Sequence, residues 1–385
     1  MLLEFGFRNF FSFREGARVS LRLDSNCPAN IAEGRDFATV LAVKGANAAG
    51  KTHVLKALSF VSQFAARSFH SEPGSLIALS SFFDNAEPTE LYVEFRTKSG
   101  VEYRYELELD DRVVRRETIY RTLKRRTAVI ERIGDKITKP KSMVNLGGMI
   151  IRDNVSVVST FDQYGRKELS DIHEFFSQIS SNVGFLGYND ISIDLKRAAT
   201  LLHSRPSLLK FVKEFIKECD TGVEDIVIHE QKRKNELGAE KEKVEHIAAF
   251  YHLVDSKKKF LLIDSQSSGT KALFRVLGLY SQALELGSIV VHDEFDLHLH
   301  QHIIPKIIHL FTDPEINPRG AQLLVSSHDD RIMDLLGRYR TILVNKEQNE
   351  SYLYRIDEFP GDLVRNDRSM IAAYHEGKLG GVPHL

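Results

Sequence analysis

Cysteine is nearly absent from this 385-residue chain: Cys27 and Cys219 are the only two. They form no metal-binding or redox spacing, and so few in so long a chain exclude a disulfide scaffold. Long hydrophobic runs are missing as well. No stretch approaches the ~20 apolar residues that span a bilayer. The opening Met1-Leu2-Leu3-Glu4-Phe5 lacks the basic start and apolar stretch of a signal peptide. Both absences lead us to expect a cytoplasmic protein. Net charge is also missing: 52 basic against 53 acidic residues leave −1. No global field therefore draws the molecule to nucleic acid or anionic lipid, and any such binding has to be local. There is no internal repeat and no low-complexity tract. The remainder is ordinary for a globular chain, 42% hydrophobic and 27% charged, with room for one large or two ordinary domains.

What stands out is Gly45-Ala46-Asn47-Ala48-Ala49-Gly50-Lys51-Thr52, which fits the phosphate-loop pattern G-x-x-x-x-G-K-[ST]. Ahead of it, Thr39–Val43 reads as a buried strand; behind it, Val54, Leu55, Leu58, Val61 and Phe64 recur at helical spacing. Strand, glycine loop and helix are what phosphate binding needs. The glycines let backbone N–H groups turn inward, and the helix start adds partial positive charge. Lys51 is expected to reach the β- and γ-phosphates of a nucleotide, and the Thr52 hydroxyl to ligate Mg²⁺.

Elsewhere, Leu3, Phe5 and Phe7 alternate, as do Val19, Leu21 and Leu23, predicting two strands. Leu91, Val93 and Phe95, a turn at Lys98-Ser99-Gly100, and Val101 to Leu109 predict a hairpin. Further strands are expected at Thr118–Leu123, Ala128–Ile133 and Val155–Ser159. From Asp171 the pattern turns helical, with Leu208, Val212, Phe215 and Ile216 on one face. Lys232 to His246 is almost entirely polar, an exposed hairpin tip or a solvated helix, too short for a coiled-coil arm. The last block alternates: strand Phe260–Asp264, a helix from Lys271, strand Ser288–His292, a helix from Gln301 and strand Gln322–Ser326. This predicts an α/β core with a largely parallel sheet. The expected division is 1–165 for the N-terminal half of the core with its β-rich lobe, 166–255 for a helical insertion, and 256–385 for the C-terminal half.

Three further motifs carry chemistry. Strand Ile289–His292 runs into Asp293 and Glu294. Beside the phosphate-loop strand, Asp293 would hold Mg²⁺ through water and Glu294 would polarise the attacking water. Ser267-Ser268-Gly269-Thr270 opens a helix and offers a second anion site, or a plain serine N-cap. Strand Leu323–Ser326 leads to His328, which could touch the γ-phosphate and stabilise its developing charge. His298, His300 and His302 alternate, but no cysteine lies near and a structural role is the stronger reading. Arg112, Arg115, Arg116, Arg121, Lys124, Arg125 and Arg126 crowd the β-rich region and are the best local candidates for a nucleic-acid or acidic-protein surface. Interleaved acids favour a self-compensating hairpin there.

The order of phosphate loop, Ser-x-Gly-Thr loop, Asp-Glu strand and Ser-His strand resembles the ABC-class ATPases of the SMC and OLD kind. It is most similar to their short bacterial AAA branch, which includes the abortive-infection, RloA-like and PARIS (AriA-type) anti-phage ATPases. The opening Leu2-Leu3-Glu4-Phe5 with Arg8-Asn9-Phe10-Phe11-Ser12-Phe13 shares in the resemblance. So do Asp220 to Ile226, Leu286-Gly287-Ser288, His300, Gln322 and the end Gly377 to Pro383. The resemblance implies an ABC-type P-loop nucleotide-binding core with a β-rich N-terminal lobe and a helical insertion. It implies ATP and Mg²⁺ as cofactors and a homodimer or higher homo-oligomer. One protomer would bind nucleotide through Gly45, Asn47, Ala48, Ala49, Gly50, Lys51 and Thr52, and its partner would cover the γ-phosphate with Ser267, Ser268, Gly269 and Thr270. It assigns Thr52 and Asp293 to the metal and Lys51, Glu294 and His328 to catalysis. Departures from the branch are Ala49 for a serine, Gln266 for a glutamate and His292 for an aliphatic residue. No glutamine that senses Mg²⁺ can be placed, Gln63 lying within the loop helix. Fifty-seven residues follow His328, too few for an ordinary Toprim nuclease domain. The expected effector is therefore a separate Toprim- or RloB-like nuclease. Rival readings are a DNA-stimulated repair ATPase, a scaffold that binds ATP without hydrolysing it, and a GTPase. The last lacks its guanine-reading motif, since Asn345-Lys346-Glu347-Gln348 ends in glutamine.

Overall fold

The computed structural model describes residues 1–139, 151–189, 194–219, 221–233, 243–359, 364 and 369–382. In chain order the elements are β1 (Leu2–Arg8), β2 (Ala17–Ser20), α1 (Ala29–Ala32), β3 (Val40–Gly45), α2 (Lys51–Arg67), β4 (Thr89–Arg96), β5 (Glu102–Leu109), β6 (Val114–Thr122), β7 (Arg126–Ile133) and β8 (Lys136–Lys139). Then come α3 (Val157–Gln163), α4 (Ser170–Ser177), β9 (Ile179–Ser181), β10 (Val183–Gly184), β11 (Gly187–Tyr188), α5 (Leu195–Ser204), α6 (Pro206–Glu218), β12 (Asp225–Arg233), β13 (Lys243–Val254) and β14 (Lys257–Leu262). The last are α7 (Ser268–Leu286), β15 (Ile289–His292), α8 (Ile303–Thr312), β16 (Gln322–Ser326), α9 (Arg331–Leu336), β17 (Thr341–Glu347), β18 (Glu350–Arg355) and α10 (Ile371–His375). They fall into two units. The first holds Met1–Asn189, Gly287–Phe295 and Gly320–Leu385; the second holds Asp190–Leu286 and Asp296–Arg319. The sequence boundaries at 165 and 255 differ from these, because β9 to β11 belong with the first unit and α7 and α8 with the second.

The first unit carries two large sheets and the two-stranded antiparallel pair β10–β11. One has the order β18-β17-β3-β16-β15-β9, with β17, β3, β16, β15 and β9 parallel and β18 antiparallel at the edge. Parallel strands are covered on both faces and so read as continuous apolar runs; every residue of β3 and of β16 is buried. The order corrects one expectation. The strand that ends in Asp293 and Glu294 does not lie beside β3, because β16 stands between them. The other sheet, β2-β1-β4-β5-β6-β7-β8, is antiparallel. Here β4 alternates buried and more exposed residues, as a sheet with one covered face should. Helix α2 buries Val54, Leu55, Leu58, Val61 and Phe64 in a core shared with both sheets. Gln322 ties the sheets together: its amide oxygen accepts from Leu2 N (2.6 Å) and its nitrogen donates to Leu2 O (2.9 Å) and Ala38 O (3.1 Å).

Val155–Ser159, expected as a strand, instead enters helix α3. Valines favour strands, but two acceptors override that preference here. Ser156 Oγ caps Val158 N at 3.0 Å, and the buried Glu117 carboxylate accepts from Val157 N at 2.9 Å. Arg132, also fully buried, pairs with Glu117 at 3.1 Å, and Tyr105 Oη donates to Glu117 at 2.7 Å.

In the second unit β12, β13 and β14 form an antiparallel sheet, and α5 and α6 pack on α7. Leu208, Val212, Phe215 and Ile216 are buried on α6, as their spacing predicts. The strand expected over Phe260–Asp264 ends at Leu262 and gives way to a 3₁₀ turn, and the helix expected from Lys271 begins at Ser268. Residues 234–242 of the polar stretch, Asp220 and Pro383 lie outside the described residues.

Candidate nucleotide site

All the expected chemistry of the first unit sits at the carboxyl ends of the parallel strands, where α/β sheets bind ligands. Strand β3 ends in the glycine loop, β16 in Ser326 to His328, β15 in Asp293 and Glu294, and β9 in Asn182. The loop glycines are sterically required. A Cβ on Gly45 would lie 2.3 Å from Val344 O of β17, and Gly50 (φ +116) is closed in by Ser12 Oγ and Ser351 Oγ, each 2.9 Å from its Cβ position. Ala48 also takes a positive φ, +61. Lys51 is buried and donates to Gly45 O and Ala46 O, both at 3.0 Å, so its ammonium lies across the loop.

Asp293 is the hub. It is 1% exposed. Thr52 Oγ1 donates to one carboxylate oxygen at 2.8 Å and Ser326 Oγ donates to the other. Its backbone is clamped by one side chain: Asn182 Oδ1 accepts from Asp293 N (2.7 Å) and Asn182 Nδ2 donates to Asp293 O (3.0 Å). Ser326 holds Glu294 as well, accepting from its N–H at 2.8 Å. Glu294 is half-buried with φ +52, a conformation that side chains rarely adopt and that recurs at functional sites. His328 is exposed at the rim. Its carbonyl accepts from the buried Lys44 Nζ (2.5 Å), which also pairs with Asp330 at 2.6 Å. His375 reaches the other Asp330 oxygen at 3.0 Å.

The structure therefore brings together Gly45, Lys51, Thr52 and Asp293, with Glu294 next in the chain. It adds residues that the motifs did not indicate. Asn182, Lys44 and Ser351 are polar groups whose partners are distant in sequence, so no local pattern could reveal them; Ser326 lay in the Ser-His strand motif, but its bonds to Asp293 and Glu294 were not apparent there. Ser351 Oγ donates to Ala49 O at 2.6 Å. Ser12 belonged to the opening motif, but its task was not apparent: its Oγ meets His53 Nδ1 at 2.7 Å and Ser351 Oγ at 2.8 Å. Phe11 stacks on His53 with ring centroids 4.9 Å apart. Burial, with help from Lys56 and Lys346, lowers the His53 pKa to about 4. Gln63 is exposed on α2.

Within the second unit, Ser267 Oγ accepts from Thr270 N at 3.2 Å and meets Thr270 Oγ1 at 2.9 Å. It is thus the N-cap of α7, with Ser267 and Ser268 exposed and Gly269 fitted under His298 O. His298, His300 and His302 make no three-ligand cluster among the described residues. In the β-rich lobe Arg115, Arg116 and Arg126 pair with Asp110, Glu131 and Glu94, so that surface largely neutralises itself.

A glycine loop between a buried parallel strand and a helix, with its threonine bonded to the aspartate of an acid-ended strand, defines a P-loop nucleotide-binding protein. Residues 40–334 match the family described as "AAA domain, putative AbiEii toxin, Type IV TA system", and the chain belongs to that family. No curated protein matches it. Among solved structures it is similar to the SMC head domain from Thermotoga maritima (13% identity, TM-score 0.46, covering 92% of this chain and 98% of that one). It is also similar to a Pyrococcus yayanosii Smc head domain with a coiled coil and joint (10%, 0.48, 98% and 99%). A third is the Pyrococcus furiosus Smc head domain with an extended coiled coil bound to the C-terminal domain of ScpA (13%, 0.42, 92% and 95%). Among the described residues no helix is long and apolar enough to cross a membrane.

Proposed function

We propose that the protein is an ABC-type ATPase whose two nucleotide sites are completed by a second copy of the chain. Its closing and opening would control a separate nuclease or other toxic effector in anti-phage defence. The observation that carries the ATPase reading is the 2.8 Å bond between Thr52 and Asp293, flanked by Lys51 and Glu294. A hydroxyl and a carboxylate are hard oxygen donors, which suits Mg²⁺. Thr52 would ligate the ion directly and Asp293 through water; bound there with ATP, Mg²⁺ would neutralise charge on the β- and γ-phosphates.

The loop N–H groups and the start of α2 cradle the phosphates. Lys51 exchanges its two carbonyl partners for phosphate oxygens. Glu294 takes the proton of the attacking water as the water oxygen bonds to the γ-phosphorus and the bond to the bridging oxygen breaks, releasing ADP and phosphate. His328 stabilises the charge developing on the transferred group. Ser267 and Gly269 of the partner cover the γ-phosphate with exposed hydroxyls and helix N–H groups, so the closed dimer forms only with ATP bound. The defence setting is supported by the words of the family description, toxin and type IV toxin–antitoxin system, together with the resemblance above.

Phosphate release tests the chemistry. Glu294→Gln should lower turnover by about two orders of magnitude while ATP still binds, and Lys51→Ala should lose binding itself. Equal turnover in wild type and Glu294→Gln would refute the assignment. DNA-stimulated hydrolysis lost on changing Arg115, Arg116, Arg125 and Arg126 would instead favour a repair ATPase.

A further inference from the structure

We infer that His203, Glu230 and His246 form a binding site for one divalent transition-metal ion, Zn²⁺ in particular, independent of the nucleotide site. The three residues come from three elements of the second unit. Glu230 on β12 and His246 on β13 are directly opposite in the antiparallel register, and His203 lies in the last turn of α5. Their ligand atoms all lie within 4.8 Å of one another. His203 Nε2 is 3.0 Å from Glu230 Oε1, and His246 Nε2 is 3.9 Å from the same oxygen. In a tetrahedral zinc site with bonds of about 2.0–2.1 Å, neighbouring ligand atoms are about 3.3 Å apart. Small side-chain adjustments are enough to reach that geometry.

Thr200 Oγ1, 2.8 Å from Lys196 O one turn back, is also 3.1 Å from His246 Nδ1. With Nδ1 held by that hydroxyl, Nε2 is the ring nitrogen turned toward the Glu230 carboxylate, where a cation would be held by both. A second-shell hydroxyl on the far nitrogen is the usual way a ligating imidazole is oriented. The two imidazole rings lie 4.3 Å apart and tilted by 32°. Two imidazoles and one carboxylate suit Zn²⁺ better than Mg²⁺ or Ca²⁺, and leave a fourth position for water. The side chains of His203 and Glu230 are 37% and 55% exposed, so an ion can enter from solvent. Bound there, it would pin α5 to strands β12 and β13.

The test is a Zn²⁺ titration of the full chain without nucleotide, in competition with a chromophoric chelator. The expected result is one Zn²⁺ per chain, weakened at least about tenfold in each of His203→Gln, Glu230→Gln and His246→Gln, and unchanged in His300→Asn. Zn²⁺ should also raise the melting temperature of the wild type and not of these three variants. His203 is at the surface, so its variant keeps the test valid if His246→Gln folds poorly. Failure of the wild type to take up Zn²⁺, undiminished affinity in His203→Gln, or loss of the ion in His300→Asn would overturn the proposal.

Discussion

Asp293 shows how much of the site depends on single hydrogen bonds. Its two carboxylate oxygens are each held by one hydroxyl, from Thr52 and from Ser326. Ser326 also fixes the backbone of Glu294. Ser326→Ala would leave a buried carboxylate oxygen and an N–H short of a partner. We expect turnover to fall by about 10–100-fold with ATP affinity little changed, measured by phosphate release and nucleotide titration. His53 makes a different prediction. Its folded pKa of about 4 lies below its ordinary 6.5, so the native state disfavours the proton. The stabilisation is complete above pH 6.5 and is lost as the pH falls toward 4, because the unfolded chain binds the proton first. The loss from this group is on the order of 3 kcal/mol at most. Urea midpoints followed from pH 7 to 4 should fall more steeply in the wild type than in His53→Gln.

At the scale of elements, the β-rich lobe depends on an ion pair that stabilises only while intact. Glu117 and Arg132 are both fully buried, and Glu117 caps α3 while accepting from Tyr105. Arg132→Leu strands that carboxylate and should cost about 3–5 kcal/mol of unfolding free energy, read from denaturant titration. Adding Glu117→Gln should recover part of the loss. The same cluster shows what was and was not legible beforehand. The glycine loop, the apolar run before Asp293 and the face of α6 were legible because their periodicity is local. Helix α3 was not, since its first N–H groups are met by a carboxylate some 40 positions upstream. The placing of β16 between β3 and β15 was not legible either: strand order is set by crossovers, which no single strand encodes. Asn182 escaped for the same reason, since its partner, Asp293, is 111 residues away.

At the scale of the whole molecule, the account requires two chains. Ser267 and Ser268 stand exposed at the start of α7, and a bulky cation there should block the covering of a partner's phosphate without touching the glycine loop. Ser267→Arg is therefore expected to bind ATP normally, to stay monomeric in sedimentation with ATP, and to hydrolyse poorly. The most direct measurement mixes two inactive chains, Lys51→Ala and Ser267→Arg, in equal amounts and records phosphate release. In a symmetric dimer each mixed pair regains one intact site of its two, and activity should recover to between about a quarter and a half of the wild-type rate, the upper value if only mixed pairs form. A mixture that stays as inactive as its two components would contradict the shared site.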